Sequence, residues 1–181
     1  GELRALDDAS GKVIWRTNIP DDSHARNLDW GMAPAPLIVD DMVIVLPGGA
    51  NGQSIVGYDR STGKRMWSAL GDKQAYASPM LVTLNGVRQL LVVSAARMMR
   101  VVRGEGKVLW EYSFPTFNGI NAPQPLVIGN NRVFVSASYD AGAAMIELSG
   151  SGDHFSVREV WRNKRMKNRF SGSVLRDGVI P

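Results

Sequence analysis

Three Gly-Lys pairs are the first feature that could do chemistry, at residues 11–12, 63–64 and 106–107. A phosphate-binding loop needs a serine or threonine directly after the lysine, to hold magnesium, and a helix after that. Here valine or arginine follows each lysine, and each pair lies between two short apolar runs. The pairs therefore predict hairpin turns and no nucleotide site.

Histidines and cysteines offer little further chemistry. His24 and His154 are the two histidines, both in polar stretches, and the chain has no cysteine. A catalytic triad or a zinc site built on histidine would have to use one of these two. No acidic group has the spacing of a calcium loop. The sequence thus predicts no metal site and leaves catalytic residues unknown.

The net charge is +4, from 21 basic and 17 acidic residues. Much of the excess lies in one stretch of cations: Arg158, Arg162, Lys164, Arg165, Lys167 and Arg169. Aromatic residues that could stack on bases do not alternate with them, which favours a solvated connection between sheets. No apolar run approaches the length that spans a bilayer. We therefore expect no nucleic-acid partner and no transmembrane segment.

Four tryptophans mark an internal repeat, at intervals of between 43 and 52 residues: Trp15, Trp67, Trp110 and Trp161. Segments 5–15, 57–67 and 100–110 have equal length and end in Gly-Lys-x-x-Trp. Aspartate stands at the same position in the first two segments, and valine replaces it in the third. This agreement indicates one structural unit used several times.

A second pattern recurs between these segments. Small residues and prolines lead into a short apolar run, a turn and a second apolar run, and the turns lie at Asp40-Asp41, Asn85-Gly86, Asn130-Asn131 and Asp177-Gly178. Asn-Gly and Asp-Gly between apolar runs are strong hairpin signals, because their backbones tolerate positive φ. Each repeat thus predicts two strands before the Gly-Lys hairpin.

Each repeat is therefore predicted to have four strands, which in the second repeat lie at about 36–39, 42–47, 54–59 and 64–68. No segment has a helical pattern. The alternation of a strand would place Met98 and Met99 on opposite faces. Four-stranded antiparallel units at this period are typical of β-propeller blades, which hide their apolar faces by stacking. Each tryptophan would press against the adjacent blade.

The pattern Ala-x-Asp-x-x-Thr/Ser-Gly-x-x-x-Trp resembles the tryptophan-docking motif of the PQQ-like, or quinoprotein-type, β-propeller family. It is complete at 5–15, has Gly57 for the first alanine at 57–67, and is degenerate at 100–110. The residues that carry the resemblance are Asp7, Gly11, Trp15, Asp59, Gly63, Trp67, Gly106, Trp110 and Trp161. The resemblance implies an all-β propeller of four-stranded antiparallel blades over nearly the whole chain.

The blades are expected at about 33–67, 77–110 and 121–161. Residues 2–15 would be the third and fourth strands of another blade, and 171–181 the start of a further one. Because the family usually has seven or eight blades, we expect one partial propeller domain, whose partners include the remaining blades. Alternatively, the two partial blades could combine and close a four-bladed ring.

The family resemblance implies two possible functions. The family includes cofactor-free scaffolds, notably the outer-membrane protein assembly lipoprotein. Resemblance to these scaffolds implies a non-catalytic, protein-binding module without a cofactor, in the periplasm or elsewhere outside the cytoplasm. The alternative is a piece of a quinone-dependent alcohol or sugar dehydrogenase, which would hold pyrroloquinoline quinone with calcium. The family's vicinal cysteine pair is absent. Candidate cofactor-binding residues in loops that open on one face are Trp30, Arg97, Asn118 and Asn121.

Overall fold

The computed structural model describes residues 1–180 as a series of antiparallel sheets. The first sheet has two strands, β1 (Glu2–Leu6) and β2 (Val13–Asn18). The second contains β3 (Leu37–Val39), β4 (Met42–Val45), β5 (Ile55–Asp59) and β6 (Arg65–Ala69). The third contains β7 (Met80–Leu84), β8 (Val87–Val93), β9 (Arg97–Val101) and β10 (Val108–Ser113). The fourth contains β11 (Leu126–Ile128), β12 (Arg132–Ala137), β13 (Gly142–Ser151) and β14 (His154–Asn163).

In every four-stranded sheet the strands follow chain order, each paired with the next one along the chain. Strands 37–39, 42–45, 55–59 and 65–69 correspond to those predicted for the second repeat, within two residues at each end. The predicted all-β class, with four-stranded antiparallel units, is confirmed.

The Gly-Lys segments form hairpin turns with one shared backbone pattern. In the second sheet the amide of Asp59 donates to the carbonyl of Lys64 at 2.8 Å, and Gly63 donates back to the carbonyl of Asp59 at 2.9 Å. Val102, Lys107 and Gly106 make the same two bonds in the third sheet, although valine replaces the aspartate. The backbone and a glycine with φ near +70° therefore define the turn, without the carboxylate.

The apolar core lies in the seams between consecutive sheets. Cluster one joins the first and second sheets through Leu3, Ile19, Val43, Val45, Val56 and Tyr58. Cluster two joins the second and third sheets and contains Met99, whereas cluster three joins the third and fourth sheets and contains Met98. The two adjacent methionines thus face opposite seams, as the strand period predicts, and both are fully buried. Stacking of this kind hides both faces of a sheet.

Two short helical segments depart from the prediction that no segment is helical. Helix α1 (Ile19–Ser23) is a single turn with Pro20 at its start and two aspartates in its first turn. Proline is pre-organised for a first helical turn and acidic side chains suit that end of the helix, so local chemistry favours it. A 3-10 turn covers Phe117–Gly119, with Asn118 at φ 55°. Both lie in segments that connect sheets.

Residues 171–180 form a turn at Asp177-Gly178, where Arg176 and Val179 pair across an isolated bridge. Pro181, the last residue of the predicted start of a further blade, lies outside the described residues. The assignment of 171–181 to another blade stays a prediction.

The strand connections place two kinds of loop at opposite ends of the sheets. The tight turns between first and second strands, and the Gly-Lys turns between third and fourth strands, share one end, which we call the turn end. The segments that connect one sheet to the next share the other end, which we call the loop end. Segments 19–36, 70–79 and 114–125 join consecutive sheets, and residues 164–173, which follow β14, leave the fourth sheet at the same end. We call all four of them connecting segments.

Candidate functional site

Residues from all four connecting segments line one cavity at the loop end. Its volume is about 340 Å³, and its walls are Trp30, Ala33, Tyr76, Ile120, Ala122 and Phe170. Trp30 is 67% exposed and Phe170 is 75% exposed, so large apolar surfaces face solvent there. Exposed aromatic side chains grouped in a concavity are typical of interaction sites. We call this cavity the loop groove.

A smaller cavity of about 130 Å³ adjoins the loop groove and shares Trp30, Tyr76 and Ile120 with it. Its other walls are Asn27, Leu28, Asp29, Gln74, Asn118 and Gly119. The rings of Trp30 and Tyr76 lie 5.9 Å apart, tilted by 58°, and form one corner of it. We call this cavity the corner pocket.

The first connecting segment is anchored to the second sheet by Asp22. The hydroxyl of Tyr58 donates to the Asp22 carboxylate at 2.6 Å, and Arg65 forms an ion pair with the same carboxylate at 2.7 Å. Burial of the Tyr58 ring, together with its bond to Asp22, raises the pKa of the phenol above its ordinary value. These contacts fix the position of helix α1, and Trp30 follows this helix in the same connecting segment.

The second and third segments are joined to each other by Asn121. The amide of Tyr76 donates to the Asn121 carbonyl at 3.2 Å. The Asn121 side chain donates to the carbonyls of Ser94 and Phe114 at 2.9 and 3.3 Å, and the residue is 1% exposed. Asn121 therefore links the segments at the loop end, whereas the sequence analysis makes it a candidate cofactor-binding residue.

Arg97 is also engaged with protein groups. It forms an ion pair with Asp72 at 2.7 Å and a second one with Glu111. The bond to Asp72 is the main cause that raises the pKa of Arg97, and the same contact lowers the pKa of Asp72. Arg97 thus connects the segment 70–79 to β9 and β10. Of the four cofactor-binding candidates, Trp30 and Asn118 share the corner pocket, and Arg97 and Asn121 do not line it.

The tryptophans of the first three repeats lie at the seams. Trp15 packs on the cluster between the first and second sheets, and its Nε1 donates to the carbonyl of Arg60 in the second sheet at 2.9 Å. Trp67 packs between the second and third sheets, with Nε1 3.1 Å from the sulfur of Met42. Trp110 is 4% exposed between the third and fourth sheets, and its Nε1 donates to Gln89 at 2.8 Å.

Trp161 lies at the far face of the fourth sheet. It is 38% exposed, and its ring lies 6.1 Å from that of Phe134. Phe134 belongs to a small cluster on this face of the fourth sheet that also contains Ala143 and Met145. No tryptophan of the repeat lies in the loop groove or the corner pocket. The indoles of the repeat therefore belong to the architecture and do not line the site.

The other residues of the motif lie at the turn end. Gly11, Gly63 and Gly106 have φ of 66°, 70° and 73°. The Asp7 carboxylate accepts from the amide and hydroxyl of Ser10, and these bonds lower its pKa. The Asp59 carboxylate accepts from the amides and hydroxyls of Ser61 and Thr62, which lowers its pKa to about 2.

A further cavity of about 330 Å³ lies at the turn end, between the second and third sheets. Its basic walls are largely neutralised, because Arg88 and Arg103 both form ion pairs with Asp40. Arg100 is 7% exposed, donates to the carbonyl of Gly152 at 2.7 Å and lies over the ring of Phe155. These contacts hold the long β13–β14 hairpin against the third sheet.

Within residues 1–180, no group of three or more histidine, cysteine, aspartate or glutamate side chains could hold a metal ion. Calcium takes six to eight oxygen ligands, from carboxylates, amide side chains, backbone carbonyls and water. Three aromatic and three aliphatic residues line the loop groove, and none of them carries a carboxylate. The Tyr76 hydroxyl is the one side-chain oxygen among the described residues of that lining, so the loop groove does not fit the calcium of a quinone site.

Sequence reasoning identified Trp30 and Asn118 but missed the residues that face them: Asp29, Gln74, Tyr76, Ile120 and Phe170. The sequence does contain a signal that points to these residues. Trp30, Tyr76, Phe117 and Phe170 are aromatic residues that lie outside every strand, in the segments that follow the tryptophan-bearing strands. Aromatic side chains without a sheet to pack in are candidates for a binding surface.

The whole described chain matches one family. A sequence model described as "Outer membrane protein assembly factor BamB" matches residues 1–180. The chain belongs to this BamB family. Membership confirms the predicted PQQ-like propeller repeat. The match also covers the degenerate third unit and the fourth unit, where the motif is hardest to see in the sequence. No curated protein matches the chain.

Among solved structures, the chain is similar to BamB from Moraxella catarrhalis, with a TM-score of 0.57 and 14% sequence identity. The match covers 89% of this chain and 43% of that one, so the chain spans less than half of the length of the BamB structure. At this identity the likeness shows the BamB fold. Among residues 1–180, no helix is long and apolar enough to cross a membrane.

Proposed function

We propose that this chain is part of a non-catalytic propeller scaffold that binds a protein partner outside the cytoplasm, in outer-membrane protein assembly. The observation that carries the proposal is the loop groove, where three of the connecting segments bring Trp30, Tyr76 and Phe170 to one exposed concavity. The family description supports the biological setting, because it names an outer membrane protein assembly factor.

The chemistry of the loop groove suits a protein ligand. Aromatic side chains bury large areas at little cost in conformational entropy, and tryptophan and tyrosine are enriched among the residues that dominate binding energies. The groove is built on segments that are anchored by the buried bonds of Asn121 and by the partly buried bonds of Asp22. A surface that is already ordered loses less freedom on binding.

No cofactor is part of this proposal. Arg97 is occupied by Asp72 and Glu111, and Asn121 by two backbone carbonyls, so two of the four candidates have structural roles. We propose that the propeller acts without pyrroloquinoline quinone or calcium.

The test uses the full-length gene product, affinity-tagged and purified from cells after mild crosslinking. Proteins that co-purify are identified by mass spectrometry for the wild type and for a Trp30→Ser, Phe170→Ser double variant. The matched control is Ile14→Ser, which removes another exposed apolar side chain, 60% exposed on β2 and outside both cavities.

We expect a specific outer-membrane assembly protein with the wild type and with the control, and its loss, by about tenfold or more, with the double variant. Equal capture by all three proteins would show that the loop groove is not the docking surface. Stoichiometric uptake of pyrroloquinoline quinone with calcium, together with dye-linked alcohol oxidation, would instead establish the dehydrogenase alternative.

A further inference from the structure

The corner pocket has an electrostatic character unlike that of the whole chain. The chain carries a net charge of +4. Among the described residues that line the pocket, the single charged side chain is the carboxylate of Asp29, and no lysine or arginine is present. Asn27 and Asn118 also line the pocket, and each carries a neutral amide with one acceptor oxygen. The pocket therefore favours a positively charged guest over a negative one.

A buried acceptor without a donor adds a second, independent observation. Gln74 is 7% exposed, and its Nε2 donates to the carbonyl of Arg26 at 3.4 Å. Its Oε1 is buried and has no hydrogen-bond partner among residues 1–180. An unpaired buried acceptor is costly, and a donor brought by a ligand would remove that cost. Gln74 lines the corner pocket and also a small cavity beside Leu46, Ile55 and Val92, so a guest in the corner pocket is one source of such a donor.

The aromatic corner suits the same guest. Trp30 and Tyr76 meet at 5.9 Å with a tilt of 58°, so the two rings form a concave angle and do not stack on each other. A lysine or arginine head within about 6 Å of a ring centroid is attracted by the negative face of the ring, most strongly by tryptophan. Two aromatic residues, Asp29 and Gln74 thus line the same small cavity.

We propose that the corner pocket binds a lysine or arginine side chain of the protein partner. This inference rests on the proposed function and specifies the chemistry of its ligand. The volume of about 130 Å³ accommodates the charged head and its last methylene groups, but not a whole folded element. A purely apolar side chain would bring no opposite charge to Asp29 and no donor to Gln74, and an acidic side chain would be repelled by the Asp29 carboxylate.

The test uses short blocked peptides as probes, so that it does not depend on knowing the partner. The probes are acetyl-Gly-Lys-Gly-amide, the same peptide with arginine, and the same peptide with norleucine, which is the uncharged analogue of lysine. The full chain is labelled with ¹⁵N, and the indole N–H signals of its five tryptophans are followed during titration. The signal of Trp30 is assigned by its loss in Trp30→Phe.

We expect a saturable shift of the Trp30 signal with the lysine or arginine peptide and none with norleucine. Because a single side chain supplies a small contact area, millimolar dissociation constants are the expected range, on the order of 1–10 mM. Asp29→Asn should weaken binding about fivefold, and Gln74→Met by a comparable factor. The control Asp177→Asn removes an equal charge from an exposed site outside the pocket and should leave binding unchanged.

Three results would overturn the inference: no saturable shift with either basic peptide, equal binding of the norleucine peptide, or equal weakening by Asp177→Asn and Asp29→Asn. These results are distinct from failure of the proposed function. If the partner is captured through the loop groove but the basic peptides do not bind, the protein-docking proposal stands and this one fails. If the peptides bind but no partner is captured, the preference of the corner pocket for a basic side chain stands, and the assignment of that side chain to a protein partner fails.

Discussion

The indole of Trp15 lies against Gly63 of the neighbouring sheet. A Cβ at Gly63 would lie 2.6 Å from Cδ2 of Trp15, and the Nε1 of Trp15 donates to the carbonyl of Arg60 at 2.9 Å in the same turn. The tryptophan of the first repeat therefore packs on the Gly-Lys turn of the second repeat. The glycine serves two purposes there, because its φ of +70° also disfavours any other residue.

Replacing Gly63 should open the seam between the first and second sheets. We expect Gly63→Ala to lower the free energy of unfolding by about 2–4 kcal/mol, as the sum of left-handed backbone strain and a clash with the Trp15 ring. Gly11→Ala is the matched control, since Gly11 has a φ of 66° in the equivalent turn and open space around it. It should cost about 1–2 kcal/mol. Equal losses in urea denaturation would contradict the packing role.

Trp110 should be the least replaceable tryptophan. Phenylalanine at 110 would leave the Oε1 of Gln89 without its donor in a side chain that is 2% exposed. We expect Trp110→Phe to cost about 2–4 kcal/mol, from lost volume and a buried unpaired acceptor. Trp67→Phe, whose indole N–H contacts only the Met42 sulfur, should cost less. Adding Gln89→Leu to Trp110→Phe should restore part of the lost stability. Further destabilisation would argue against the hydrogen bond between Trp110 and Gln89.

Asp59 should make stability depend on pH in the acid range. Its pKa of about 2 lies below that of an unfolded aspartate, about 3.9, so the folded state favours the ionised carboxylate. The stabilisation is complete above about pH 4 and is lost as pH falls towards 2. Carbon NMR should report the low pKa directly. Asp59→Asn should be less stable than the wild type near pH 6, by a margin that shrinks towards pH 2; a constant margin would refute the assignment.

Arg97 should behave as a structural residue. Arg97→Met leaves the largely buried Asp72 carboxylate with the hydroxyl of Ser94 as its remaining side-chain partner. We expect a loss of about 1–3 kcal/mol in the free energy of unfolding. In a double-mutant cycle with Asp72→Leu, the two losses should be clearly less than additive. Additive losses would show that the Arg97–Asp72 pair contributes nothing, and that Arg97 remains available for a ligand.

The repeat could be predicted because local chemistry determines it. Gly-Lys turns, Asn85-Gly86 and the alternation of Met98 and Met99 depend on residues close in sequence, and the structure has them where the patterns indicate. Helix α1 was missed because five residues are too few for a 3.6-residue period to appear. Its signal lies instead in Pro20 and the acidic residues after it.

The site was only partly predictable, because it depends on how separate sheets stack. Trp30 and Tyr76 come from different connecting segments, and no local pattern states that their rings meet at 5.9 Å. Arg97 and Asn121 are polar loop-end residues in the sequence, and only the structure shows that Asp72 and backbone carbonyls occupy them. Polar loop residues can hold loops in place as well as ligands, and only tertiary contacts separate the two roles.

Site-specific photo-crosslinking in cells tests the central claim most directly, with the full-length gene product carrying a photoreactive phenylalanine analogue. The analogue replaces Phe170 at the loop end or, in a second protein, Lys12 at the turn end. We predict a crosslink from position 170 to one outer-membrane assembly protein, and none to that protein from position 12. A crosslink to that protein from position 12 alone, or none from either position, would contradict a scaffold that binds its partner through the loop groove.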